Sequence, residues 1–409
     1  MNKTQLGAAS LIFYASVLNA ASLTLTPLEL KLPGNTAQPN VVATKTGFVL
    51  SWQQKDAKGC TRLYTATLDS RGNLGAAKPV ASGCNWFVNW IDFPSVSIAD
   101  NGDWLTYWLQ KSKADPYAYD IHVTRSINAG QRWSTSVIPH TDATPTEHGF
   151  VSMTPLSAGD GDRVLMIWLD GRNTLADSAG AEHAHGHDAE GPMSLRSAEI
   201  DRAGKLHHAQ EIDARVCSCC STDLSTAGTG AIALFRDRSA VEIRDIAQAR
   251  YQNGHWQASK LVNKDGWKIA GCPTNGPALA VIGKRAAAIW PTMIADQLQV
   301  RAKYLDSEVA PVVLETGDGV LGRPDAAAFG AGVMVSWLGQ NASGVSSLKL
   351  RLLDAHLKKL SEVNVAELSG GRNIGVPKLA VFQDQAILVW TEAESAGISH
   401  IRGVRVTYQ

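Results

Sequence analysis

The chain has 409 residues with 38 basic and 38 acidic side chains, so its formal net charge is zero. That balance excludes a nucleic-acid binder working through bulk positive charge. Hydrophobic residues at 44% and charged residues at 19% describe a globular chain with apolar surface for a large core. The first residues read as an address: Lys3 is positive, Leu6 to Leu18 is apolar, and Asn19-Ala20-Ala21-Ser22 offers small residues for cleavage. Residues 1–21 are therefore expected to be a signal peptide, with residues 22–409 forming one domain in the periplasm or outside the cell. No later segment reaches the roughly 18 continuous apolar residues of a membrane-spanning helix.

Ser22-Leu23-Thr24-Leu25-Thr26 alternates like a strand but has no partner nearby. Seven similar units follow. Apolar runs end at Trp52, Trp108, Trp168, Phe235, Trp290, Trp337 and Trp390, at a mean spacing of about 56 residues. Pro39, Pro155, Pro277, Pro324 and Pro377 each lie 13 residues before their Trp, and Pro94 lies 14 before Trp108. Only the fourth unit lacks both markers, with Thr222 and Phe235 in their places. In each unit a short strand opens at the Pro, a turn leads to the Trp strand, and alternating third and fourth strands follow, as in RLYTATLD or SLKLRLLD. Four antiparallel strands repeated radially predict an all-β propeller of seven four-stranded blades. The seventh unit ends after its third strand, so Ser22–Thr26 is expected to add the outer strand and close the ring. The alternative is six blades with one unit outside the ring.

Cys60 and Cys84 flank the last strands of the first unit, and a local disulfide is expected there. In the second unit the turn after the third strand reads Ser126-Ile127-Asn128-Ala129-Gly130-Gln131-Arg132-Trp133. This octapeptide resembles the Asp-box, S-x-D-x-G-x-x-W, of the sialidase and BNR-repeat propellers, with Asn in place of Asp. Weaker relatives occur at Asp69–Gly72, Asp201–Gly204 and Asn253–Trp256. The box is a structural turn, so it bears on fold rather than activity. Sialidases usually have six blades, and a seventh is a departure.

The resemblance also implies chemistry: an arginine cluster for a substrate carboxylate, an Asp as acid and base, and a Tyr–Glu nucleophile. Loops before each Pro and after each Trp should share one face, where ligand sites gather. The candidates there are Asp170, Arg172, Arg236, Asp237, Arg238, Glu242, Arg323 and Arg372, with Tyr117 and Tyr119 as reachable tyrosines. Guanidinium suits the task because its planar fork pairs with a carboxylate through two parallel hydrogen bonds. Arg323-Pro324 resembles part of the family's Arg-Ile-Pro signature, with its middle residue missing. The alternative is that these Arg–Asp pairs tie neighbouring blades together.

The loop from Asn173 to Gly191 carries His183, His185 and His187 between carboxylates, a pattern that suits a transition metal. It reads equally as a polar loop or a lid. Cys217, Cys219 and Cys220 lead into the fourth unit, and Cys272 leads into the fifth. Either disulfides clamp the two blades through Cys272, or the four thiolates hold a soft metal. Three functions follow as alternatives: a secreted sialidase-type hydrolase or binder of an acidic glycan, a propeller binding a small molecule or protein, or a periplasmic metal-binding protein.

Overall fold

A computed structural model describes residues 21–157, 161–175, 191–341, 343–368, 371–394 and 398–409. The expected leader, apart from Ala21, and the three loop histidines lie outside these residues. Short strands, separated by Gly- and Asx-containing turns, pair with near neighbours in sequence except at the ring seam and so form seven separate antiparallel sheets. The runs that end at Trp, or at Phe235 in the fourth unit, are their second strands: Phe48–Lys55, Trp104–Lys111, Val164–Asp170, Gly230–Arg236, Arg285–Ile294, Gly332–Gln340 and Gln385–Ala393. The protein is a seven-bladed β-propeller. In blade two the outermost strand shrinks to one bridge between Val123 and Val137. In blade four it is split into His255–Trp256 and Lys260–Leu261. Among the described residues, no helix is long and apolar enough to cross a membrane.

The ring closes as expected. Leu23–Pro27 pairs antiparallel with Ser399–Tyr408, with Leu23 opposite Tyr408 and Pro27 opposite Val404. The last strand thus has a partner on each side, and no paired edge is left open at the seam.

The six Trp residues are equivalent by register. Their third-strand partners are Tyr64 for Trp52, His122 for Trp108, Arg196 for Trp168, Arg301 for Trp290, Lys349 for Trp337 and Arg402 for Trp390. Phe235 takes the place in blade four, opposite Ala247. On the other side, Pro flanks Trp one position beyond the pairs Asn40–Ser51, Ala278–Ile289, Asp325–Ser336 and Lys378–Val389. Blade three differs. Its turn is longer, Pro155 pairs with Val164 at the far end, and Val151 sits beside Trp168. The 13-residue spacing of Pro155 is therefore coincidental in register.

Polar side chains on inner strands staple blade to blade. Asn40 accepts the Val96 N–H at 3.3 Å, Asp223 the Leu279 N–H at 2.7 Å, and Asp325 the Leu379 N–H at 2.7 Å. At the axis, Ile91, Phe93, Phe150 and Val376 come from segments leading into blades two, three and seven and join one apolar cluster. Three of the lead-in segments are kinked by left-handed residues, Gln38, Phe150 and Arg323, each just before the position beside the Trp. Such residues cost about 1–3 kcal/mol each and persist only where surrounding packing enforces them.

Candidate functional site on the loop face

Because Pro and Trp lie side by side, the residues before one and after the other share an end of each blade. Three clusters form there. The first joins blades two and three. The Tyr119 hydroxyl donates to Glu147 Oε1 at 2.7 Å and lies 3.1 Å from Asp92 Oδ2. Asp92 Oδ1 also accepts the Phe150 N–H at 2.8 Å. Burial pushes the Asp92 carboxyl up to about 7, against both of these bonds. Burial and the Glu147 and Asp92 charges push the Tyr119 phenol well above its usual value. Tyr119 is buried, with its ring stacked on Phe87 at 4.0 Å.

Behind this trio, His140 and His148 stack in parallel at 3.7 Å. His148 Nε2 lies 3.2 Å from Asp142 Oδ2, and its Nδ1 lies 3.2 Å from the Thr146 carbonyl. Both ring nitrogens thus face oxygen atoms. Burial and the His148 charge push His140 down to about 4. Asp170 is fully buried and accepts the Trp168 indole N–H at 2.8 Å and both Arg172 Nε and Nη2, at 2.7 and 2.8 Å. Arg172 also lies 3.0 Å from Asp142. Burial works against the Asp170 charge, yet the Arg172 bonds and His148 hold its carboxyl below the usual range. Asp120 with His140 and His148, and Asp142 with His148 and Asp170, are each close enough to hold an ion. The parallel rings, however, point their nitrogen lone pairs along parallel lines, so one ion cannot sit in both ring planes. The Arg172 guanidinium already fills the cation's place between Asp142 and Asp170.

The second cluster is at blades four and five. Arg236 is buried against Trp267 and donates to the carbonyls of Asn275, Arg244 and Pro291 at 2.7–3.0 Å. Arg238 and Arg244 share Glu242, with closest contacts of 2.7 Å each. Asp237 gives its N–H to the Asp245 carbonyl, and burial pushes its carboxyl up to about 6. Cys219 and Cys272 form a disulfide, as Cys60 and Cys84 do. Cys217 and Cys220 are buried free thiols with sulfurs 2.9 Å apart. Two of the four sulfurs are thus joined, and Arg244 donates to Cys217 at 3.5 Å. That arrangement corrects the four-thiolate metal site: bonded sulfurs are not thiolate ligands, and a guanidinium beside Cys217 repels a cation.

The third cluster lies across the axis. Arg323 Nη1 donates to the Gly375 carbonyl at 3.0 Å, and its guanidinium rests 4.2 Å from the centroid of the Trp90 ring. The Arg323 N–H is held by Asn275 Oδ1 at 2.7 Å. Burial, then the nearby Arg372 charge, pushes Arg323 down to about 10. Arg372 is exposed on the short helical turn Arg372–Ile374. Neither guanidinium has a carboxylate within 4.0 Å among the described residues.

No known family profile matches the sequence, and no curated protein is significantly similar to it. Solved structures do match over nearly the whole chain. A protein of unknown function from Dyadobacter fermentans is 12% identical, covers 95% of this chain and 98% of its own, and has a TM-score of 0.53. The haemagglutinin-neuraminidase ectodomain of parainfluenza virus 5 is 11% identical, covers 95% and 86%, and has a TM-score of 0.51. The fold is that of a sialidase-like propeller. At such identity the likeness is one of architecture.

Within this sialidase-like propeller, the arginines marked from the sequence divide by their partners. Arg172 and Arg238 are paired with carboxylates and Arg236 is held by carbonyls, whereas Arg323 and Arg372 have no carboxylate partner among the described residues. Tyr117 is exposed and apart from the trio, while Tyr119 is within it. Asp92, Asp120, His140, Asp142 and Trp90 escaped the sequence reading. Asp92 had one usable signal, its position two residues before Pro94.

Proposed function

We propose that the loop face of this sialidase-like propeller binds an acidic glycan. The observation that carries this reading is the Arg323–Arg372 pair. The Arg372 charge acts on Arg323, and neither has a carboxylate partner among the described residues, on a face where Arg172 and Arg238 are paired with carboxylates. Arg323 leaves its Nε and Nη2 donors without a partner among the described residues, the edge that grips a carboxylate in parallel. Trp90 beside it holds the Arg323 guanidinium in place on the loop face. Two disulfides support a place of action outside the cytoplasm. The test is calorimetric titration with N-acetylneuraminic acid and with neutral N-acetylglucosamine. Binding of the acid alone is expected; equal affinity for both would remove the arginine assignment.

The Tyr119–Glu147–Asp92 trio favours a second reading, hydrolysis. A carboxyl near 7 is suited to giving up a proton at neutral pH, and Glu147 can take the phenol proton. Against it stands the burial of Tyr119, 0% exposed, with its hydroxyl held between Glu147 and Asp92. Turnover of a sialoside reporter, lost in Glu147→Gln, would support hydrolysis. Turnover that survives Arg323→Ala would sink the arginine assignment.

A further inference from the structure

We propose that Cys217, Cys219, Cys220 and Cys272 form a thiol–disulfide exchange centre, with the buried pair Cys217 and Cys220 acting on the outer disulfide Cys219–Cys272. The geometry is a chain of sulfurs. Cys217 Sγ lies 3.7 Å from Cys219 Sγ and 2.9 Å from Cys220 Sγ. Cys219 is half-buried and Cys272 is exposed, so the reactive series runs from the interior to the surface. A structural clamp between blades four and five needs only the outer disulfide. Two further thiols in contact with it, with Arg244 donating to one of them at 3.5 Å, are what an exchange reaction requires.

The steps balance without an outside oxidant or reductant. The Cys217 thiolate attacks Cys219 Sγ, a Cys217–Cys219 bond forms, the Cys219–Cys272 bond breaks, and Cys272 leaves as a thiolate. The Cys220 thiolate then attacks Cys217, forming Cys217–Cys220 and freeing Cys219. One disulfide and two thiols exist before and after, and the two thiol protons pass to the released sulfurs. Two reducing equivalents thereby move from the buried pair to the outer pair, and the clamp between the blades opens. The exposed Cys272 thiolate can attack a small-molecule disulfide, the substrate class this centre would take.

The test is timed alkylation of the native protein with iodoacetamide under argon, followed by disulfide mapping by mass spectrometry. Label should accumulate on Cys272 and Cys219 while a Cys217–Cys220 bond appears in equal amount. Glutathione disulfide used in place of iodoacetamide should trap Cys272 as a mixed disulfide. Cys217→Ser should abolish both. Arg244→Gln keeps all four cysteines and should slow labelling about tenfold through the lost charged hydrogen bond. Arg244→Lys should restore part of the rate. Native Cys272 that stays unlabelled while Cys217 and Cys220 alkylate after denaturation would overturn the proposal. Two fixed disulfides, or a bound metal on the thiols, would overturn it as well.

Discussion

The guanidinium of Arg323, on the lead into blade six, lies 4.2 Å from the centroid of the Trp90 ring, on the lead into blade two. The contact spans the axis, so the connector after blade one helps shape the face opposite it. Trp90→Ala should release the guanidinium and weaken binding of an acidic sugar about three- to tenfold, the range of a half-exposed cation–π contact. Trp90→Phe should lose less. Titration of the two variants beside the parent protein checks this.

The Trp ladder makes a stability prediction that differs between blades. Trp337 and Trp290 are fully buried, and their indole N–H groups are bound by Glu315 and Asp265. Trp337→Ala or Trp290→Ala should cost roughly 3–5 kcal/mol. Trp108 occupies the equivalent register but is only half-buried, stacked between Trp86 and His122 at 5.5 and 5.4 Å. Trp108→Ala should therefore cost less. Urea unfolding of the three variants orders them.

Ring closure rests on five residues. Removing Leu23–Pro27 would unpair the outer side of Ser399–Tyr408 and expose Leu23's site, with a loss of at least about 2 kcal/mol from the buried leucine alone. The open edge should also promote association between chains. Melting temperature and light scattering of the shortened protein, against the parent, report the two effects.

Asp92 and Asp223 should make stability fall as pH rises from about 4 to 7, opposed over the lower part of that window by His140, whose folded value near 4 makes stability rise with pH. Burial raises Asp92 to about 7 and Asp223 to about 6, so the folded state holds protons that the unfolded chain, near 3.9, has released. Their contribution is present in full below the unfolded value and disappears as pH passes the folded one. Each such proton gives a slope of about 1.4 kcal/mol per pH unit inside the window. Asp142 and Asp170, held low, act in the other direction below about pH 4. Asp92→Asn should flatten the decline between pH 5 and 7; unfolding curves across that range, unchanged in the variant, would exclude Asp92 as a source.

Much of the ring was legible because blade neighbours share one register. Trp52 and Trp390 stand at opposite ends of the chain, yet pair with the same third-strand position. Pro155 shows the limit: spacing counts residues, and a longer turn moved the proline away from its Trp while keeping the number. The sites were less legible because their members come from different blades. Asp92, Tyr119 and Glu147 are separated in sequence and meet only through the loops that bring blades two and three together. Residue type also misled. Arg236 has the spacing of a ligand-binding arm, but three carbonyls and Trp267 draw it inward. Cys272 was expected to meet one of the three cysteines before blade four, and it pairs with Cys219. Which of the three it chose depends on side-chain direction, which spacing does not carry.

The affinity of N-acetylneuraminic acid for the Arg372→Ala protein tests the central claim most directly. Arg372 is exposed and its side chain has no hydrogen-bond or carboxylate partner among the described residues, so its removal leaves the fold intact. The account predicts a loss of about tenfold or more, as expected for a charged hydrogen bond to a carboxylate, that shrinks as salt is added. Unchanged affinity for the acid in Arg372→Ala and in Arg323→Ala would contradict it.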